Sequence, residues 1–409
     1  MAQTLFYLIV GFIVFEFVLA KVLDLLNYRN IDTPVPEEMR DLYDEEKVKK
    51  TKAYDKSKTA YQTLSSTLSL VVILIVLFLD GFAWLDEFVR QYTDQPILMG
   101  LMFFGILYLA SDLINIPFSL YNTFVIEEKF GFNKITPKLY FLDKLKGYVV
   151  AILIGGGILS LITFLFTIAG SNFWWIAWIT VAAFSLFMMV FYTSLFLPIF
   201  NKLTPLEDGE LRVAIENYAQ KVSFPLNNIF IMDGSKRSTK ANAFFSGMGN
   251  KKSIVLFDTL VNDHPKDELL GVLAHEVGHY KKKHVQKGFV ISMLNMGVLL
   301  FLFGLLAKSQ LLPQILGATE QSFHLALVAF SLLYSPVSFF TGMLMNVFSR
   351  KNEYEADAYA RETYDGNSLK TALKKLSSNH LSHFNPHPAY VFFHYSHPPV
   401  AKRLKAIGS

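Results

Sequence analysis

Seven stretches of this 409-residue chain are apolar for long enough to cross a hydrocarbon core of about 30 Å, which takes roughly 20 helical residues. They run at about Thr4 to Val22, Leu64 to Trp84, Ile97 to Leu120, Tyr148 to Ala169, Phe173 to Phe196, Gly288 to Leu306 and Phe323 to Val347. A composition that is 52% hydrophobic and 15% aromatic agrees with a membrane protein and not with two or three soluble domains. The first stretch has the place of a signal peptide. It lacks a basic leading region and a small-residue cleavage site, and Glu16 interrupts its apolar core, so a retained helix is expected.

Charge supplies an independent check, because cytosolic loops near helix ends collect Lys and Arg. The segment after the first span holds Arg29, Arg40, Lys47, Lys49, Lys50, Lys52, Lys56 and Lys58, and the one after the third holds Lys129, Lys134, Lys138, Lys144 and Lys146. The alternate segments offer Arg90 and Lys308 alone, and none between spans four and five. The C-terminus and the long polar segment before span six are therefore expected in the cytosol, and the net charge of +4 is a topology signal that requires no nucleic-acid partner. With no cysteine, disulfides, thiol catalysis and Cys-ligated metals are excluded. Their absence also favours a bacterial source and an inner-membrane location; in a eukaryote the endoplasmic reticulum membrane is expected.

The expected division is 1–200 for spans one to five and their loops, 201–287 for a cytosolic segment, 288–348 for spans six and seven, and 349–409 for a C-terminal cytosolic segment. Within 201–287, Leu211 to Val222 reads as an amphipathic helix. Asn228 to Met232 and Ser253 to Leu260 read as strands of a small sheet, the second following a Gly-rich turn at Gly247 to Asn250. A further helix is predicted from Pro265, with Asn262 and Asp263 as cap candidates and Asp267 and Glu268 in the first turn, where acids suit the dipole.

That helix carries His275-Glu276-Val277-Gly278-His279. Histidines at i and i+4 stand one above the other on a helix face, so both imidazoles reach one zinc ion, and the intervening Glu is placed as general base. A catalytic zinc needs a third protein ligand and an open fourth position. Glu353 is the candidate. If span seven continues as a helix beyond the membrane, Glu353 and Asp357 share a face at i and i+4, one to bind metal and the other to orient a ligand His, while Glu355 points elsewhere. The bland alternative is a solvated, charged helix end. His284 lies nine residues past His275, roughly 180° around a continuous helix, and is not expected to join the same zinc. His380, His383, His387, His394 and His397 crowd the tail in no standard ligand spacing. Asp112 and Asn115, polar within a span, are expected to face the bundle interior or to serve as structural hydrogen-bonding groups.

At these residues the chain resembles the type I CAAX prenyl protease family of multi-spanning zinc endopeptidases. The likeness rests on Phe124 to Lys129, Gly131-Phe132-Asn133, Phe200 to Leu206, Asn242-Ala243-Phe244-Phe245, the zinc motif, Glu353 to Asp357, and His394 to Pro399 through Arg403-Leu404. It implies a mostly α fold, a barrel of seven transmembrane helices around an intramembrane chamber. A zincin-like metalloprotease domain with a small β-sheet is implied on the cytosolic side. The implied metal is one Zn2+ held by His275, His279 and Glu353, with Asp357 hydrogen-bonded to a ligand His. Asn242 and Ala243 would pair with an extended substrate backbone, and His397 and Arg403 would contact the substrate or the developing oxyanion. The implied substrate is a peptide prenylated at a C-terminal CAAX sequence, or another membrane-associated peptide. Phe130 departs from the His common before Gly-Phe-Asn in eukaryotic members, at a position that is not a ligand. The competing expectations are an HtpX-like quality-control protease and a zinc-containing scaffold or transporter. Glu276 discriminates against the scaffold, because a structural zinc site has no use for a carboxylate beside an open coordination position.

Overall fold

The computed structural model describes residues 1–246 and 252–408. The first five apolar stretches are helices α1 (Ala2–Asn30), α2 (Glu45–Phe78), α3 (Pro96–Glu127), α4 (Pro137–Ile168) and α5 (Gly170–Phe200). Strand β1 (Leu203–Pro205), helix α6 (Glu210–Lys221) and strands β2 (Leu226–Met232), β3 (Ala243–Ser246) and β4 (Lys252–Phe257) follow. Helix α7 (Lys266–Lys281) leads into the last two spans, α8 (His284–Leu306) and α9 (Phe323–Thr363), and α10 (Gly366–Asn379) and α11 (Val400–Gly408) close the chain.

Several spans run well past their apolar cores. α2 begins at a cap in which Asp44 accepts the Lys47 amide, with Glu45 and Glu46 in the first turn, so its basic lower half is helical from Glu45 onward. α9 is capped by Ser322 on the Leu325 amide and continues to Thr363, sixteen residues beyond the predicted end at Val347, which carries Glu353 and Asp357 on one continuous helix.

The sheet has the order β1-β2-β4-β3, with β2 and β4 parallel and the outer pairs antiparallel, so β1 and β3 are its edges and no further strand pairs with β3 among the described residues. Both predicted strands exist, but the second ends at Phe257, and Asp258 to Asp263 form a short helix instead. Asn262 and Asp263 therefore belong to that turn and do not cap α7, whose N-cap position is Pro265 without a side-chain bond. The predicted turn Gly247 to Asn250 lies outside the described residues.

Two large apolar cores, with two smaller clusters, hold the described residues together. One gathers Phe103, Phe173, Phe303, Phe323, Leu325 and their neighbours at the membrane ends far from the sheet. The other packs α6, α7, α10 and the sheet through Ile215, Leu256, Leu269, Leu273 and Leu369. Between them the apolar windows of α1, α2, α4 and α5 are each only 6% buried, so these helices pack against few neighbours and keep most of their apolar surface uncovered, as surface that meets lipid can be. Asp112 bridges α3 to Lys144 at 2.6 Å and to the Tyr148 hydroxyl, and Asn115 donates to the Ser111 carbonyl of its own helix at 2.8 Å. Both find structural hydrogen bonds, as polar groups at membrane depth must.

Candidate active site

Helix α7 lies against α9 and α10 with almost no intervening side chain. A Cβ on Gly278 would sit 3.0 Å from the Ala356 backbone, and one on Gly271 would sit 2.8 Å from the Leu369 amide nitrogen. The two glycines are seven residues apart, two helical turns, and so share a face. Their close approach brings His275 and His279 up to Glu353 and Asp357.

The Nε2 atoms of His275 and His279 are 3.1 Å apart, His279 Nε2 is 3.2 Å from Glu353 Oε1, and His275 Nε2 is 3.5 Å from Glu353 Oε2. Donors about 2.0–2.1 Å from a tetrahedral ion lie about 3.3–3.4 Å from each other, so the three separations bracket that geometry. Glu353 is 3% exposed, and its Oε2 makes no hydrogen bond among the described residues. Two imidazole lone pairs converging beside a buried carboxylate oxygen are the donor set of a divalent cation, and these residues fit one.

On its other side, His275 Nδ1 is 2.9 Å from Asp357 Oδ1, so the ring donates there and keeps Nε2 free. Arg403 forks onto the same carboxylate, Nε to Oδ2 at 2.8 Å and Nη2 to Oδ1 at 2.6 Å, and its Nη1 is 3.2 Å from Glu353 Oε2. Burial and Arg403 disfavour a charged His275, yet Asp357 and Glu353 outweigh them and push the imidazole up to about 9; a divalent cation would take the place of the second proton, the one on Nε2. Burial alone would raise Glu353, but the two imidazoles and the Arg403 guanidinium beside it hold it well below the carboxylate range. Glu276 goes the other way: burial raises its carboxyl, with Glu353 adding to the effect and the two imidazoles opposing it.

Glu276 and His279 wall two cavities at once. One, of about 450 Å³, also exposes Asn242, Glu353, His397 and Arg403. The other, of about 520 Å³, is lined by Met188, Tyr192, Phe224 and Phe244 and opens toward α5 and α8. His397 is exposed and reaches Glu353 Oε1 at 3.4 Å.

The edge strand runs beside this cleft. The Phe257 amide donates to the Asn242 carbonyl at 3.0 Å, and strand residues alternate, so the main-chain groups of Ala243 face away from β4. The Asn242 side chain caps the Ala243 amide at 2.8 Å. The strand's entry is pinned from two sides. Lys240 donates to Glu127 at 2.9 Å and to the Tyr54 hydroxyl at 3.0 Å, and the Ala241 amide donates to His380 Nε2 at 3.0 Å.

Burial, with Lys240 adding to it, pushes His380 down to about 4, as a neutral acceptor requires. Its folded value lies below the unfolded one of about 6.5, so its share of stability is present above pH 6.5 and is lost as pH falls toward 4. We expect the thermal midpoint of wild type to drop across that window, by the equivalent of about 3 kcal/mol, and His380→Gln to flatten the drop. An equal drop in the variant would assign the acid lability elsewhere.

The tail histidines form no second metal cluster among the described residues. His380 serves the strand, His383 Nε2 meets the Asn27 carbonyl at 3.1 Å, and His387 caps the Ala389 amide at 3.2 Å.

His284 stays outside the three converging donors, as expected, but not because it lies across a continuous helix. The chain breaks at Lys283, whose φ of 58° is left-handed, and His284 starts α8 with its Nδ1 3.0 Å from His279 Nδ1. Glu355 meets His284 Nε2 at 3.1 Å.

The family described as "CAAX prenyl protease N-terminal, five membrane helices" matches residues 24–202, and "Peptidase family M48" matches 205–409. CAAX prenyl protease 1 of Saccharomyces cerevisiae is 34% identical, over 98% of this chain and 94% of that protein. The human CAAX prenyl protease 1 homolog is 31% identical over 92% of this chain and 89% of its own. The crystal structure of Ste24p from S. mikatae superimposes with a TM-score of 0.92 at 34% identity, covering 98% of both chains.

Proposed function

The chain belongs to the CAAX prenyl protease 1 family of M48 metallopeptidases and is a multi-pass membrane metalloprotease, and from that premise we propose that it cleaves a peptide bond near the C-terminus of prenylated CAAX peptides at a zinc centre held by His275, His279 and Glu353. The observation that carries this reading is the convergence of those three donors, 3.1 to 3.5 Å apart, beside an edge strand. When bound, zinc would polarise the scissile carbonyl and acidify the attacking water.

The substrate lies extended along β3, adding a strand whose backbone meets the outward main-chain groups of Ala243 and the Asn242 side-chain amide. Glu276 accepts the proton of the attacking water and delivers it to the leaving amine, a role suited to a carboxyl raised by burial. His397, exposed in the cavity, donates to the developing oxyanion. Arg403 is engaged by Asp357 and Glu353, which supports a role in fixing the ligands and their charge. Asp357 sets the His275 tautomer.

The Lys-rich loops support a cytosolic active site, in an inner membrane if the host is bacterial and in the endoplasmic reticulum if it is eukaryotic. Likeness over nearly the whole chain to proteins named CAAX prenyl protease 1 favours this reading over an HtpX-like one. Detergent-purified protein is expected to cleave a farnesylated CAAX peptide, to lose that activity on chelation, and to regain it with zinc. Failure of zinc-loaded, folded protein on this peptide, with cleavage of an unprenylated one, would overturn the substrate assignment.

A further inference from the structure

At Nδ1, where His275 has Asp357, His279 has no carboxylate partner among the described residues and meets an imidazole instead. Its Nε2 faces His275 and Glu353, so a neutral ring serving as a metal ligand through that atom carries its proton on Nδ1. Nδ1 meets His284 Nδ1 at 3.0 Å, and two ring nitrogens at that distance need one donor and one acceptor. With His279 donating, His284 accepts at Nδ1 and carries its own proton on Nε2, which faces Glu355 Oε2 at 3.1 Å. Every donor thus points one way, from His279 to His284 to Glu355.

We propose that His284 and Glu355 are positioning residues for the metal, acting through His279 as a carboxylate–imidazole relay; this rests on the assignment of His279 as a ligand. His284 is 5% exposed, and the left-handed Lys283 that precedes it turns the chain so that the first residue of α8 reaches back to α7. Glu355 stands two residues past Glu353 on α9. The relay therefore ties three helices at the site: it holds the His279 ring in the plane that aims Nε2 at the metal and makes that nitrogen a stronger donor. Outer partners of ligand histidines do this in zinc sites generally, and their removal costs about 10–100-fold in affinity.

The test is zinc affinity of the full-length protein in detergent, by competition with a chromophoric chelator, together with the visible spectrum of the cobalt(II)-substituted protein. His284→Ala should weaken zinc binding about 10–100-fold and shift the cobalt bands. His284→Asn places an oxygen acceptor where Nδ1 stood and should stay within about threefold of wild type, while Glu355→Gln should lose about three- to tenfold. Wild-type affinity and spectrum in His284→Ala, or equal losses in the Ala and Asn variants, would overturn the relay. If His284→Ala does not fold, unchanged affinity in Glu355→Gln overturns it. Wild-type zinc affinity in His279→Ala would instead overturn the ligand assignment on which the relay rests.

Discussion

Glu276→Gln is expected to lower turnover of a CAAX peptide by about 10³-fold or more while leaving zinc content unchanged. The substitution keeps the shape of the side chain and removes its ability to take a proton. Glu276 stands outside the group of three converging donors, so metal binding has no reason to suffer. Burial raises its carboxyl, and a base must be ionised, so activity in wild type should fall with acid through a pKa above the usual carboxylate range near 4.3. Measured kcat, zinc content and the pH profile together check this. A Gln variant with more than about a tenth of wild-type turnover would give the proton transfer to another group.

Much of this arrangement is legible in the residues alone, and the parts that are not share a cause. The seven spans show because a hydrocarbon core imposes a length and a composition. The His-Glu-x-x-His helix shows because ligand spacing follows helical pitch, and Glu353 with Asp357 shows once α9 is allowed to run on to Thr363. Strands β1 and β3 span three and four residues, too short for alternation to register, and β1 ends in a proline. His284 stays out of the donor set as expected, but its contact with His279 was hidden because a 3.6-residue period was carried across Lys283, where the helix stops. Asn242, His397 and Arg403 lie far along the chain from His275, and only resemblance pointed to them. No local pattern states that α11 will fold back to put Arg403 on Asp357.

The spacing of α7 from α9 is where packing and chemistry meet, and Gly278→Val should damage both. A Cβ there already falls 3.0 Å from the Ala356 Cα and carbonyl oxygen and 3.1 Å from the Tyr359 Cβ. The first two are backbone atoms of a long helix and cannot rotate aside, so the branched side chain is relieved only by moving one helix off the other. Overpacking of this kind costs about 1–3 kcal/mol. The same displacement separates His275 and His279 from Glu353, whose donor separations of 3.1 to 3.5 Å leave little slack. Zinc affinity should therefore fall by about 10²-fold or more, and turnover with it, alongside a lower thermal midpoint. Gly288→Ala in α8 supplies the contrast, because its Cβ would meet nothing within 4 Å. Replacing a helical glycine in open space should raise stability by about 0.5–1 kcal/mol and leave zinc binding alone. A Gly278→Val protein that melts and binds zinc like wild type would mean that the close helix contact does not set the geometry of the metal site.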